Sequence, residues 1–398
     1  MAGDPRGRGT RLLVLGAGPA QIGLLAAARE RGLFVIAVDR DPSAPGFAYA
    51  DRRAIVSTED ERGIDRLARA ERVDAVIAPG IDFPVAIAAR VARGLGLPHP
   101  LSPAAAVLAT NKQRQRERFA EAGVPQPRSR VLDDGGEALD LPCVVKAPDR
   151  QGQRGLTLVR ERRELDAAIR AARAASRSGH VLVEEHVEGP EITVNAFSIA
   201  GAFVPLTVTD RLTADPPAFG VALAHVWPSP HDVVDVARRA AEALGITDGP
   251  TYTQVKVGPK GPTVIELAAR LGGGHDAELC EAALGVDLNA LALSAALGEE
   301  VAPPTPAAQV GGACVRFLVA REGMLDAVRG LDEAEALDGV RWARVYRRPG
   351  HVFGPLRIGS DRAGALLAIG SSRDEALARA ADAASRIRFD VVDAGVAV

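Results

Sequence analysis

Gln254 and Glu266 are the pair of side chains in this sequence best placed to share a hard cation. In the stretch GPTYTQVKVGPKGPTVIELAARLGGGH, residues 249–275, apolar residues fall mainly on odd numbers from Thr251 to Val257 and again from Thr263 to Leu267. That is the period of a strand buried on one face, with Pro259, Lys260 and Gly261 as the turn between two such strands. A hairpin symmetric about Lys260 sets Gln254 opposite Glu266, with β-carbons roughly 5 Å apart. Two oxygen-bearing side chains at that separation suit one hard cation or two adjacent ones, as a Mg-nucleotide site requires. Arg270 follows, and the run Gly272, Gly273, Gly274 leads to His275, so that carboxylate, arginine and open backbone converge at one sheet end. Taken alone, the same pattern also describes a surface hairpin with its polar face in water.

The lysines point to phosphate chemistry. Of 48 basic residues only Lys112, Lys146, Lys256 and Lys260 are lysine. Where a genome favours arginine, each compact ammonium merits its own explanation. Lys146 closes the apolar strand Pro142–Ala147, just before a loop with Gly152 and Gly155 whose backbone amides can fold over phosphates. No Gly-Lys-Ser/Thr follows these glycines, so this is no Walker loop, and a plain hairpin turn is the alternative. Lys112 lies on a helical stretch among arginines. The strand VLVEE ends in Glu184 and Glu185, and after His186, Val187 and a Gly-Pro turn the next strand begins at Glu191. Two acids flanking a turn there can face a purine amino group and ribose hydroxyls.

These groups need elements to hold them. RLLVLG, then Gly16 and Gly18, a helix over Ala20–Arg31 and a strand over Phe34–Val38 form a βαβ opening. It approaches the dinucleotide fingerprint, but position 21 holds Gln21 where a third glycine belongs. A strand at Ala75–Ala78 and a helix over Pro84–Gly94 complete a Rossmann-like domain, residues 1–103. Residues 104–308 form a central domain with a subdomain at about 142–198, and residues 309–398 a small α+β domain after the linker VAPPTP. Residues between Ala200 and Pro230 read as an irregular excursion carrying Arg211, Phe219, His225 and Trp227, and Arg316 sits in an otherwise apolar strand.

At 398 residues the chain is long enough for two or three cores, and its formal charge of −3 gives no broad basic surface, so nucleic acid is not expected as a partner. Cys143, Cys280 and Cys314 are scattered in apolar surroundings and read as core thiols of a reduced compartment. No apolar run approaches membrane-spanning length and the first residues carry no signal core, so the expectation is a cytoplasmic protein without membrane contact.

Lys112, Lys146 with its glycine loop, VEEHVEGPE, and the step from Gln254 to Glu266 and Arg270 together resemble the ATP-grasp superfamily. Within it the sequence is similar to the biotin-carboxylase-like carboxylate–amine ligases, including amino-acid (dipeptide) ligases. The resemblance spans nearly the whole chain and implies an α/β ATP-grasp fold with a Rossmann-like pre-ATP-grasp domain and a small C-terminal α+β domain. It implies ATP and Mg²⁺ as cofactors, small-molecule carboxylate and amine substrates, and a possible homodimer. Lys112 and Lys146 would contact phosphates, with Gly152–Gly155 as the mobile loop over them. Glu184, Glu185 and the backbone to Val187 would meet adenine, and Glu191 the ribose. Glu266 would bind Mg with Gln254, and Arg270 the acyl phosphate. Gly272, Gly273, His275 and Arg316 would face the substrate. Two positions depart from the family: Gln254, where a second acid is usual, and Ala268, where asparagine is frequent. A bicarbonate-dependent carboxylase and an ATP-binding protein with weak catalysis are the alternatives.

Overall fold

The computed structural model of the chain describes residues 9–132 and 139–393. Four parallel strands come first, β1 (Arg11–Leu15), β2 (Phe34–Asp39), β3 (Arg52–Ile55) and β4 (Ala75–Ile77), in the order β3-β2-β1-β4. Leu12 through Leu15 are fully buried, as expected of a parallel strand covered on both faces. After β1 the Gln21 side chain packs beside Gly16 and donates to the Pro79 carbonyl at 2.7 Å. The position where the dinucleotide fingerprint has its third glycine is thus filled by a buried amide.

Helices α4 (Pro103–Ala109) and α5 (Lys112–Glu121) lead to the second sheet, β5 (Ser129–Leu132), β6 (Cys143–Lys146), β7 (Leu156–Val159) and β8 (Val181–Glu185), antiparallel in the order β5-β8-β6-β7. Ser102 and Asn111 cap the two helices by accepting from Ala105 N and Arg114 N. Cys143, Val145, Val181 and Val183 face helix α6 (Leu165–Ala175). Alternation therefore puts Lys146 and Glu184 on the other face, as diagonal neighbours, because Val144 pairs with Glu184 and Lys146 with Leu182.

The third sheet contains β9 (Glu191–Ile199), β10 (Ala202–Thr213), β11 (Ala222–Trp227), β12 (Gly249–Gly258), β13 (Gly261–Ala268), β14 (Gly312–Leu318), β16 (Val340–Val345) and β18 (Gly364–Gly370). Its order is β13-β12-β9-β10-β11-β14-β18-β16, so it continues without interruption across the expected boundary at residue 308. The segment expected to be irregular between Ala200 and Pro230 is largely the β10–β11 hairpin. Strands β15 (Gly323–Arg329), β17 (Val352–Phe353) and β19 (Arg388–Val392) form a separate small sheet. Helices α8 (Asp276–Leu284) and α9 (Leu288–Ala296) pack against the first sheet's helices and the large sheet, and α11 (Arg373–Arg386) covers the latter's far side.

The register of β12 and β13 contains a correction. Near the tip, Val257 pairs with Pro262 and Lys256 with Thr263, so the hairpin is centred between Pro259 and Lys260 and not on Lys260. One residue, Ile265, is then inserted as a bulge, and beyond it Gln254 does stand opposite Glu266. The bulge also switches the parity of burial on β13, from even at Val264 on the tip side to odd at Leu267 beyond it, with Ile265 half-buried.

Candidate functional site

One face of the large sheet carries a polar row that its register dictates. Glu266 lies opposite Gln254, Gln254 opposite Thr193, Tyr252 opposite Asn195, and Arg211 opposite His225. The other face presents Ile192, Val194, Val255 and Leu267 to the core. Two cavities open over the polar face. The smaller, about 130 Å³, is bordered by Lys112, Lys146, Glu184, Val187, Glu191 and Glu266, and Glu185 reaches its rim. The larger, about 380 Å³, is bordered by His225, Tyr252, Gly273, Gly274, Tyr346 and Arg362. Gln254, Arg270, Arg211 and the Gly152–Arg154 loop belong to both.

In the smaller cavity Glu184 is bound by two cations, Lys146 Nζ at 2.7 Å and Arg116 Nε at 2.7 Å, and all three are buried. Burial alone would raise the Glu184 carboxyl; Arg116 and Lys146 overcome it and hold the group below the usual carboxylate range. Burial pushes the Lys146 ammonium down to about 8, with Glu184 pulling it back up. One carboxylate between two cations leaves positive charge facing the cavity. Lys112 Nζ lies 3.0 Å from Glu266 Oε1 and donates to the Arg150 carbonyl at 2.6 Å. Glu191 pairs with Arg211 at 2.6 Å, and Glu185 with Arg128 at 2.7 Å.

The loop glycines differ in purpose. Gly152 has φ +66° with open space around it, whereas a β-carbon on Gly155, φ +68°, would lie 2.6 Å from Ala175 Cβ. Gly152 serves the turn and Gly155 the packing on α6.

Among the described residues no group of three or more His, Cys, Asp or Glu is placed to hold a metal. Glu266 and Gln254 nonetheless present two hard oxygens side by side at the wall, a donor set that fits magnesium, which completes its shell with water and phosphate.

Arg270 donates through Nε to Asp82 Oδ1 at 2.6 Å and through Nη1 to the Leu271 carbonyl at 2.8 Å, tying the shared wall to the first sheet's loop. A β-carbon on Gly272 would sit 2.2 Å from Asp276 Oδ2, and one on Gly274 2.6 Å from His225 Cε1 and 3.1 Å from its Nε2. These glycines let the chain pass against a buried pair in which His225 Nδ1 lies 2.9 Å from Asp276 Oδ1. Asp276 also accepts from Asn195 and from Gly274 N, and its carboxyl lies down at about 2 because His225 and these donors outweigh burial. The Cε1–Nε2 edge of His225 thus lies against Gly274, and the buried imidazole borders the larger cavity.

Of the residues expected to face the substrate, Gly273 borders the larger cavity, while Gly272, buried against Asp276, and two others lie elsewhere. His275 is buried, its Nε2 2.6 Å from Tyr346 Oη and its Nδ1 3.3 Å from Glu278 Oε1, and it borders neither of the two cavities. Arg316 pairs with Ala224 and Leu366, whose side chains pack in the α11 cluster on the reverse of the sheet. Strand alternation gives the cavity face to its neighbour Phe317, on whose ring Arg362 stacks at 3.6 Å. Tyr252, Asp276, Tyr346, Arg347 and Arg362 were not singled out by sequence reasoning. Tyr252 shares Gln254's parity on β12 and was legible on that ground; the others come from elements whose placement only the fold supplies.

Comparison with known proteins bears on the whole chain. An ATP-grasp domain model matches residues 139–278, and a model for the L-amino acid ligase C-terminal domain 2 matches residues 316–392. An uncharacterized protein, y4rH of Sinorhizobium fredii, is 30% identical over 376 residues, covering 88% of this chain and 76% of that one. A formate-dependent phosphoribosylglycinamide formyltransferase of Burkholderia vietnamiensis is 28% identical over 415 residues, covering 95% of each. The crystal structure of an L-amino acid ligase from Bacillus licheniformis superposes with a TM-score of 0.83 at 22% identity, covering 97% of this chain and 100% of that one. With its central and C-terminal segments matched by these two models and its full length by relatives of one architecture, the chain belongs to the ATP-grasp family of ADP-forming carboxylate–amine ligases.

Proposed function

We propose that the protein joins a carboxylate to an amine, on amino-acid-like substrates, through an acyl phosphate, with release of ADP and phosphate. The observation that supports this is the shared wall: Gln254, Arg270 and the Gly152–Arg154 loop border both cavities. A phosphoryl group leaving a nucleotide in the smaller cavity thus meets a fixed guanidinium at the entrance to the larger.

The substrate carboxylate, already ionised at neutral pH, attacks the γ-phosphorus in line. Lys112 and Lys146 meet the charge on the nucleotide side, and Arg270, its Nε and Nη1 held, offers its remaining edge to the transferred group. Glu266 and Gln254 would hold magnesium, which would supply charge neutralisation at the phosphates. The Gly152 loop excludes water, which would hydrolyse the acyl phosphate. His225, oriented by Asp276 at 2.9 Å, takes the proton from the attacking amine. The new C–N bond forms, the carbon–oxygen bond to phosphate breaks, and the imidazolium is stabilised by the same carboxylate.

The test is phosphate release from Mg-ATP with amino acids supplied singly and in pairs, and with bicarbonate in a separate arm. Pair-dependent release with a product of mass equal to both substrates less water is expected, and the His225→Asn variant should lose roughly 10²- to 10⁴-fold in turnover while still binding ATP. Release that requires bicarbonate and no amine would replace this reading with carboxylation.

A further inference from the structure

His275 stands in a backbone conformation that its type does not favour. Its φ of +60° is left-handed, the region that glycine enters freely, and it directly follows Gly272, Gly273 and Gly274. A histidine held under that strain is accounted for by what its ring touches.

Both ring nitrogens are engaged. Nδ1 lies 3.3 Å from Glu278 Oε1 and Nε2 lies 2.6 Å from Tyr346 Oη, with the Trp342 ring edge-on at 4.9 Å. Burial would raise the Glu278 carboxyl, yet its contacts with His275 and Arg344 bring it down to about 2, so at neutral pH it can only accept. Arg344 Nη1, 3.2 Å from the same oxygen, already supplies the counter-charge, so the contact with His275 calls for a hydrogen bond and no second cation. Nδ1–H therefore donates to Glu278, and Nε2 of the neutral ring is left with a lone pair. The proton of the 2.6 Å contact must then come from the Tyr346 hydroxyl, and burial, which pushes the phenol above its usual value, keeps that proton in place.

Among the described residues His275 is the only hydrogen-bond partner of the Tyr346 hydroxyl. Tyr346, unlike His275, borders the larger cavity, and its backbone N–H is fixed to the Ala363 carbonyl at 2.8 Å. With its proton turned to His275, its oxygen has lone pairs and no donor to offer there. The same end of α8 sets the other imidazole: Asp276 orients His225 at 2.9 Å, and His225 and His275 both pack on Phe317, with centroids 5.8 and 6.5 Å from its ring.

We propose that Tyr346 is a specificity-determining residue for the amine: its hydroxyl oxygen accepts one N–H of the attacking nitrogen while His225 takes the other proton, and His275 and Glu278 are positioning residues that keep the Tyr346 proton out of the cavity. The substrate class that follows is a primary amine. Such a nitrogen has two N–H bonds and a lone pair, which serve Tyr346, His225 and the acyl carbon; a secondary amine has a single N–H and leaves one acceptor unmet. This rests on the ligase reading for the amine. The proton arrangement behind Tyr346 stands without it.

Two measurements test the proposal. In the full-length protein carrying nitrogen-15-labelled histidine, two-bond proton–nitrogen correlation reads the proton on each ring nitrogen, and His275 is assigned with His275→Asn, because asparagine tolerates the left-handed backbone. A neutral ring protonated on Nδ1, whose Nε2 resonance moves in Tyr346→Phe, is expected; a proton on Nε2 overturns the proposal. For the reaction, each amino acid that serves as the amine in phosphate release is compared with its N-methyl form, as glycine with sarcosine. Tyr346→Phe should raise KM for the primary amine roughly 10-fold with kcat nearly unchanged and leave KM for the N-methyl form where it was, so that the preference shrinks by that factor. An undiminished preference, or an equal loss with both forms, overturns the proposal. Absence of release with every pair is failure of the ligase reading and takes the amine role of Tyr346 with it, while the histidine spectrum still judges the proton arrangement.

Discussion

Lys146 yields a prediction in which nucleotide binding and fold stability move in opposite directions with pH. Burial brings its ammonium down to about 8 from an unfolded value of 10.5. From pH 7 to pH 9 its charged fraction in the free protein falls from about nine-tenths to about one-tenth. If only the charged form meets the phosphates, affinity for a non-hydrolysable ATP analogue drops about tenfold over that interval. The sign for stability is reversed. A folded pKa below the unfolded one means the unfolded chain binds more protons between about 8 and 10.5, so this group's contribution to stability rises with pH through that window and is lost as pH falls through about 8. Calorimetric titration from pH 7 to 9.5 measures the affinity, whose loss also shows as a shrinking analogue-induced shift in thermal unfolding, and unfolding without analogue measures the stability. Lys146→Arg, charged throughout, should flatten the binding profile. A wild-type affinity independent of pH, or an identical slope in Lys146→Arg, would refute the assignment of Lys146 to the phosphates.

Glu184→Gln leaves Lys146 and Arg116 buried without their shared carboxylate and should cost roughly 3–5 kcal/mol of stability by denaturant unfolding, most of it restored when Lys146→Met is added. Gly274→Ala should lower turnover while leaving ATP-analogue affinity intact, because its β-carbon would press on the His225 ring at 2.6 Å; unchanged turnover would mean that the imidazole position is irrelevant to chemistry. Gln254→Glu adds a second acid opposite Glu266 and should reduce the magnesium concentration for half-maximal activity, at a cost of up to about 1 kcal/mol in the metal-free protein. An unaltered magnesium requirement would remove Gln254 from the metal site.

What the sequence disclosed, and what it hid, follows from the range of the interactions. The strand VLVEE at Val181–Glu185 depends on neighbours in sequence and was legible. The β10–β11 hairpin was not, because Pro216 and Pro217 and a polar stretch interrupt the alternation that signals strands. Gln254 lies opposite Glu266 although the turn sits half a residue from the expected centre at Lys260: the Ile265 bulge compensates for a tip centred between Pro259 and Lys260. Parity on a strand is trustworthy only to the next bulge.

Arg316 and Arg362 show the same limit from the other side. An arginine in an apolar strand draws attention, yet register with Ala224 and Leu366 turns Arg316 to the α11 face. Arg362, in the unremarkable segment Gly359–Ala363, is carried to the cavity because β14 and β18 pair along their length and bring the residue just before β18 over Phe317. Local pattern can nominate a charged residue. Only the pairing of distant strands decides which face of the sheet receives the charge, and here it gives the cavity Arg362 in place of Arg316.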